Sequence, residues 1–88
     1  MEKAKIKEII RSFVNGTVQI TDDSITDDSL LFREGFFDSM GFILLISFLE
    51  ERFKISAEDE DLVEENFESI NSISEFVLRK IGMGNEID

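Results

Sequence analysis

Apolar positions along the chain fall into three helical stripes, separated by polar stretches with no sustained period. Ile6, Ile9, Ile10, Phe13 and Val14 stand at i, i+3, i+4, i+7 and i+8, the spacing of a single apolar helix face. Lys3, Lys5, Lys7, Glu8 and Arg11 take the rest of that surface, and Asn15-Gly16 offers the left-handed residue that ends many helices. The pattern predicts a first helix over Glu2–Val14. A second stripe follows Asp38, a good N-cap that places Ser39 at the first helical position. Met40, Phe42, Ile43, Leu44, Leu45, Ile46, Phe48, Leu49 and Phe53 surround most of this helix up to Phe53. A core-facing stripe uses only part of a helix circumference, so some of these side chains must face solvent or a partner. Glu50, Glu51 and Arg52 mark where the helix leaves the core. Ser56-Ala-Glu-Asp59 has capping-box character and predicts a short helix over Glu58–Val63. Ser72-Ile-Ser-Glu75 is a second such box. It precedes Ile73, Phe76, Val77 and Ile81 at helical spacing, so a last helix is expected over Ser72–Ile81, stopping at Gly82 with residues 82–88 frayed.

Residues 15–38 form a long first loop containing a tandem repeat, Ile20-Thr-Asp-Asp-Ser24 followed by Ile25-Thr-Asp-Asp-Ser29. Five residues are too few for a solenoid unit. Leu30, Leu31, Phe32, Phe36 and Phe37 supply apolar anchors, and a helical turn is expected over Ser29–Arg33 with a bend at Gly35. No segment alternates with a period of two. The expected fold is all-α: a small bundle of three main helices plus a short third-position helix, in one domain spanning 1–88.

Composition narrows the function. The 88 residues include no Cys, His, Trp, Tyr or Pro, so there is no thiolate nucleophile, no histidine base and no His/Cys zinc site. Without disulfides, the 42% of residues that are apolar must build a core. Nine basic residues against 20 acidic give a net charge of −11, which disfavours nucleic acid. Residues 22–75 hold 16 acids and 3 bases, whereas the first 11 residues hold 4 bases. An acidic body beside a basic-leaning first helix calls for partners with basic docking surfaces. The longest mostly apolar run, Met40–Leu49, is far short of the roughly 20 residues a bilayer span needs. The opening residues lack the unbroken apolar stretch of a signal peptide. A soluble, cytoplasmic monomer is expected. No metal site is expected either. EF-hand loops begun at Asp22 or Asp59 place Asp27 or Glu64 where Gly is required, and Arg33 or Ile70 where Glu is required. Acid–base catalysis by a carboxylate pair needs a cleft that nothing in this sequence implies, so the chain is not expected to be an enzyme.

Gly35-Phe-Phe-Asp38-Ser39-Met40-Gly41, followed by an apolar helix ending Leu49-Glu-Glu-Arg-Phe53, resembles the attachment site of the acyl and peptidyl carrier proteins. Asp28-Ser-Leu-Leu-Phe-Arg-Glu-Gly35 is similar to the turn before that motif. Glu65-Asn-Phe67, with Ile70 and Ile73, is similar to the approach to the family's last helix. The resemblance implies that Ser39 carries covalent 4′-phosphopantetheine derived from coenzyme A, with acyl or aminoacyl groups held on its thiol as thioesters. It implies a phosphopantetheinyl transferase and acyl- or aminoacyl-loading ligases or synthases as partners. Asp38 would cap the helix and help bind the transferase's metal; Met40, Phe42, Ile43, Glu50 and Glu51 would be read by partners. Gly41 and Leu44 stand where carriers of the fatty-acid type commonly keep acids, and Gly-x-x-Asp-Ser-Met-Gly is closer to stand-alone carriers of the D-alanyl or aminoacyl type. Fatty acid, polyketide and nonribosomal peptide biosynthesis are the pathways such a carrier serves.

The residues alone also fit a non-enzymatic acidic helical module that binds a basic protein through Met40, Phe42 and Ile43. Under either reading, the crowded acids repel one another and screening should relieve them. Added Mg²⁺ or moderate NaCl is therefore expected to raise the melting temperature, which a thermal melt followed by circular dichroism across a salt series would check.

Overall fold

The computed structural model describes residues 2–18, 25–35 and 37–87, and among them there is no strand. Four α-helices follow in order: α1 (Lys3–Val18), α2 (Ser39–Phe53), α3 (Glu64–Phe67) and α4 (Ile70–Ile87), with a 3₁₀ turn at Asp59–Asp61. The first copy of the repeat, Phe36 and Asp88 lie outside the described residues.

α4 is the element the others pack on. Ile70, Ile73, Phe76 and Val77 are buried along it, and α1 answers with Ile6, Ile10 and Val14. Ile9 and Phe13 are half-buried at the edge of that stripe, Phe13 stacking on Phe48 with ring centroids 4.3 Å apart. From α2 the buried residues are Gly41, Leu45, Leu49 and Phe53, one every fourth position. Of the surplus apolar residues around this helix, Met40, Ile43 and Leu44 are exposed, while Phe42, Ile46 and Phe48 are half-buried against the core. Phe67 of α3 is fully buried against α4.

The chain before α2 is tied down by its second repeat copy. Ile25 is buried, and Arg11 and Lys7 of α1 both reach the Asp27 carboxylate, Lys7 at 3.2 Å. The Asn71 backbone N–H donates to the Asp27 carbonyl at 3.0 Å, and Asn71 Nδ2 to Asp28 Oδ1 at 2.6 Å. Further on, the Leu31 N–H donates to the Glu68 carbonyl at 2.8 Å, and the Phe37 N–H to the Leu31 carbonyl at 3.1 Å. The expected turn over Ser29–Arg33 lies slightly later, over residues 31–35, closing at Gly35 with φ of 84°.

Several expected boundaries move. α1 does not end at Val14 but runs through Gly16 to Val18, because Gly16 does not adopt the positive φ a left-handed cap needs. Gly82 likewise fails to stop α4, whose helical backbone extends to Ile87 where a frayed tail was expected. α4 also begins earlier than Ser72. Ser69 Oγ accepts from the Ser72 N–H at 3.1 Å, so the capping serine stands one turn upstream. The expected helix over Glu58–Val63 is only the 3₁₀ turn, and its capping box is Glu58 with Asp61 rather than Ser56 with Asp59. The third α-helix is instead Glu64–Phe67.

Two carboxylates fasten these loops. Hydrogen bonding to Arg11, reinforced by Lys7, holds the Asp27 carboxyl below its ordinary value against the opposing effect of partial burial. The Lys80 ammonium, at 2.8 Å, and the Glu58 backbone N–H, at 2.9 Å, do the same for Asp61. Because both values are lowered on folding, their contribution is present above the unfolded carboxylate value of about 4 and fades as pH falls through the lower folded value. Denaturation midpoints are expected to decline as pH drops below about 4, and Asp27→Asn should flatten part of that decline while lowering stability at neutral pH. Urea titrations of both chains across pH would check this.

Candidate functional site

The site forms where the tethered loop turns into α2. Asp38 is in extended backbone (φ −113°, ψ −167°), and its Oδ1 accepts from the Gly41 N–H at 3.0 Å. The Asp38 carbonyl takes the Phe42 N–H at 3.0 Å, the first turn of the helix. Ser39 is therefore the first helical residue, and it is exposed. In that first turn the Ser39 and Met40 amides have no intrahelical carbonyl to bond, so they and the helix dipole favour an anionic group on the serine hydroxyl.

Close packing explains the motif's glycine. A Cβ at Gly41 would meet Phe37 Cδ1 at 3.0 Å, so a side chain there would press the Phe37 ring aside. Phe37 opens a chain of rings that runs into the core. Its centroid lies 5.7 Å from Phe32, Phe32 lies 5.7 Å from Phe42, Phe42 lies 5.4 Å from Phe67, and Phe67 lies 4.9 Å from Phe76 of α4. Offset and edge-to-face contacts of this kind favour particular ring arrangements beyond area burial alone. They relate the α2 opening to the most buried helix.

The structure separates the residues expected to meet partners. Met40 is 62% exposed and Ile43 58% exposed, and Leu44, one position on, is 48% exposed. With Ser47 and Glu51 they stand at i, i+3, i+4, i+7 and i+11, a single outward stripe. Phe42 faces the other way, half-buried between Phe32 and Phe67, because the ring chain holds it inward. Glu50 is also engaged within the chain. Its Oε2 accepts from the Ala57 N–H at 2.9 Å, and its carbonyl from the amides of Lys54 and Ile55. Leu44, not among the residues expected to meet partners, is exposed on the same stripe. Its place on the stripe with Met40 and Ile43 was available in the spacing.

Beside the serine lies an open, mostly apolar depression of about 520 Å³ lined by Phe32, Asp38, Ser39, Phe42 and Ile43. A neighbouring hollow of about 270 Å³ shares Phe32 and Phe42 and continues to Leu62, Val63 and Glu64. The exposed hydroxyl, the free amides and this adjoining surface can accommodate a phosphodiester-linked arm. No candidate catalytic pair lines either hollow.

A small helical bundle that offers an exposed serine at a capped helix start is the architecture of a carrier domain. A family model described as the phosphopantetheine attachment site matches residues 5–77. That span is well over half of the chain, and the protein belongs to this family, whose members carry covalently attached 4′-phosphopantetheine. No curated protein matches the chain. No helix among the described residues is long and apolar enough to cross a membrane.

The cap gives this geometry a measurable weight. Asp38→Ala is expected to lower stability by about 1 kcal/mol. Asp38→Asn, which can still accept from the Gly41 amide, should lose much less; denaturant midpoints of the two variants would check the ranking.

Proposed function

We propose that Ser39 is the attachment residue and that the protein carries acyl or aminoacyl groups as thioesters on the arm fixed there. The observation that carries this reading is the exposed hydroxyl at the opening residue of α2, capped by Asp38 and adjoining an apolar depression. The attached group supplies the thiol on which thioester chemistry occurs. The chain's own part is to present Ser39 outward, to favour the phosphate through the first-turn amides, and to hold the α2 opening against the ring chain. It performs no chemistry on the cargo itself. Asp38 is exposed, so its carboxylate is open to a cation brought by a phosphopantetheinyl transferase.

Partners are read through the outward stripe of Met40, Ile43 and Leu44, with Glu51 at its far end. Phe42 and Glu50 act behind it, as supports of the helix and of the segment that follows. The apolar character of the stripe near Ser39 favours loading ligases or synthases whose docking surface is apolar close to the active-site entrance and basic further off. With the apolar Leu44 exposed where an acid would extend a charged face, and Gly41 buried against Phe37, the cargo fits the D-alanyl or aminoacyl class better than long fatty acyl chains.

The test is to incubate the protein with coenzyme A, Mg²⁺ and a promiscuous phosphopantetheinyl transferase and to measure its intact mass. One added phosphopantetheine is expected on the wild type and none on Ser39→Ala. Asp38→Asn should be modified more slowly despite its retained cap. If no mass is added to the wild type, the assignment fails. An acidic module that works through its apolar stripe alone would instead bind its partner equally well with Ser39→Ala.

A further inference from the structure

Between the buried rings of Phe53 and Phe67, none of residues 54–66 is buried. Ile55 and Ala57 rest against the core only in part. What holds this segment down is polar, and most of it meets at Asp61. The Asp61 carboxylate takes the Lys80 ammonium at 2.8 Å and the Glu58 N–H at 2.9 Å. Its carbonyl takes Asn66 Nδ2 and the Val63 N–H, both at 2.8 Å. Asn66 Oδ1 in turn accepts from Arg79 Nη2 at 2.9 Å. Two consecutive residues of α4 therefore hold one hub, and the charged groups of both lie 6.0 Å from the centroid of the buried Phe76 ring. The Lys80 and Asp61 side chains are only 14% and 22% exposed. At the other end, the left-handed Lys54 turns the chain out of α2, and the Ala57 N–H donates to Glu50 Oε2 at 2.9 Å.

We propose that residues 55–63 open and close as one strap, with the Lys80–Asp61 pair as its latch and its hinges at Lys54 and at the start of α3. A segment opens at less cost than the whole fold when it buries little apolar surface and hangs on a few bonds. Here those bonds converge on one carboxylate and one carbonyl, so loss of the ion pair frees the 3₁₀ turn together with the residues after it. Phe53 and Phe67 are buried on either side, and the motion ends at them. Leu62 and Val63, 41% and 40% exposed, line the second hollow with Phe32 and Phe42. The latch therefore decides whether that hollow keeps its outer wall. Opening moves this wall and leaves the ring chain and the Ser39 end of α2 in place. A protein that docks on α2 and reaches across the hollow meets one rigid bank, the helix, and one bank that yields. The device belongs to the fold and is independent of what Ser39 carries.

The test is amide hydrogen exchange, read by nuclear magnetic resonance on the full chain, for the wild type, Lys80→Met and Arg79→Met. Methionine keeps an apolar stem beside Phe76 and removes the charged tie. In the wild type, the amides of Ala57, Glu58, Asp61, Leu62 and Val63 should share one protection factor, at least about tenfold below those of Ile73 and Val77 in α4. In Lys80→Met all five should fall together by a further factor of about ten, the size of one lost charged hydrogen bond. Ala57 decides the matter, because its own bond to Glu50 is untouched by the substitution. Arg79→Met, whose tie to Asn66 is exposed, should lower the same five by a smaller common factor. The proposal is overturned if Ala57 keeps its wild-type protection while Leu62 and Val63 lose theirs, or if none of the five changes. It is equally overturned if the five match Ile73 and Val77 in the wild type. Should Lys80→Met fail to fold, Arg79→Met decides by the same criteria.

Discussion

The phenylalanine chain from Phe37 to Phe76 is the constraint on which the functional end of the molecule depends. A serine at the start of a helix is useful as an attachment point only if the helix starts in a fixed place. Asp38 sets the first hydrogen bonds of α2, but a cap fixes a helix end relative to its own backbone and not relative to the rest of the fold. The rings do the second task. Phe37 lies against Gly41, Phe32 and Phe42 pass the contact inward, and Phe67 and Phe76 are buried with α4. Dense packing transmits displacement, so the position of the serine is referred to the core through aromatic contact.

The motif end of the chain was legible in the sequence because local rules and tertiary packing agree there. Asp38 as cap, Ser39 as opening residue and Phe53 as the last residue of α2 all follow from patterning, and the surplus of apolar residues foretold an exposed stripe. Elsewhere the local signals and the observed elements part. Gly16 and Gly82 are good helix stops by propensity, each costing about 1 kcal/mol inside a helix, yet both helices continue through them. Ser72 has the better capping-box spacing, but Ser69 performs the capping because Ile70 is needed in the core. Helical spacing sets Phe42 with Leu45, Leu49 and Phe53, apart from Met40 and Ile43, but the rings at 32 and 67 that it packs between are distant in sequence.

Charge follows a similar division. The basic residues of the first helix are not simply a face offered to solvent. Lys7 and Arg11 are engaged by Asp27, and Lys3 lies 3.6 Å from Glu75. Lys80 and Asp61 join the 3₁₀ turn to α4, and Arg33 lies 3.8 Å from Glu64. The exposed pairs among these, Lys3–Glu75 and Arg33–Glu64, contribute little individually, whereas Lys80–Asp61 is largely shielded from solvent. Asp27 and Asp61 are the acids drawn toward the fold by their cations, and the remainder give the body its negative field.

The C-terminal end of α2 shows how two adjacent acids can have unlike roles. Lys54 adopts a left-handed conformation with φ of 58°, allowing the chain to fold back so that the Glu50 carbonyl and carboxylate receive the amides of the next few residues. Substituting Glu50 would release the strap at Ala57, and the disturbance could travel along the chain toward Leu62 and Val63 beside the second hollow. A survey of docking contacts by alanine replacement would then score Glu50 as a partner-binding residue, although the loss would originate inside the carrier. Glu51, next in the chain, is exposed and has no such strap among the described residues, so its replacement would leave that segment in place.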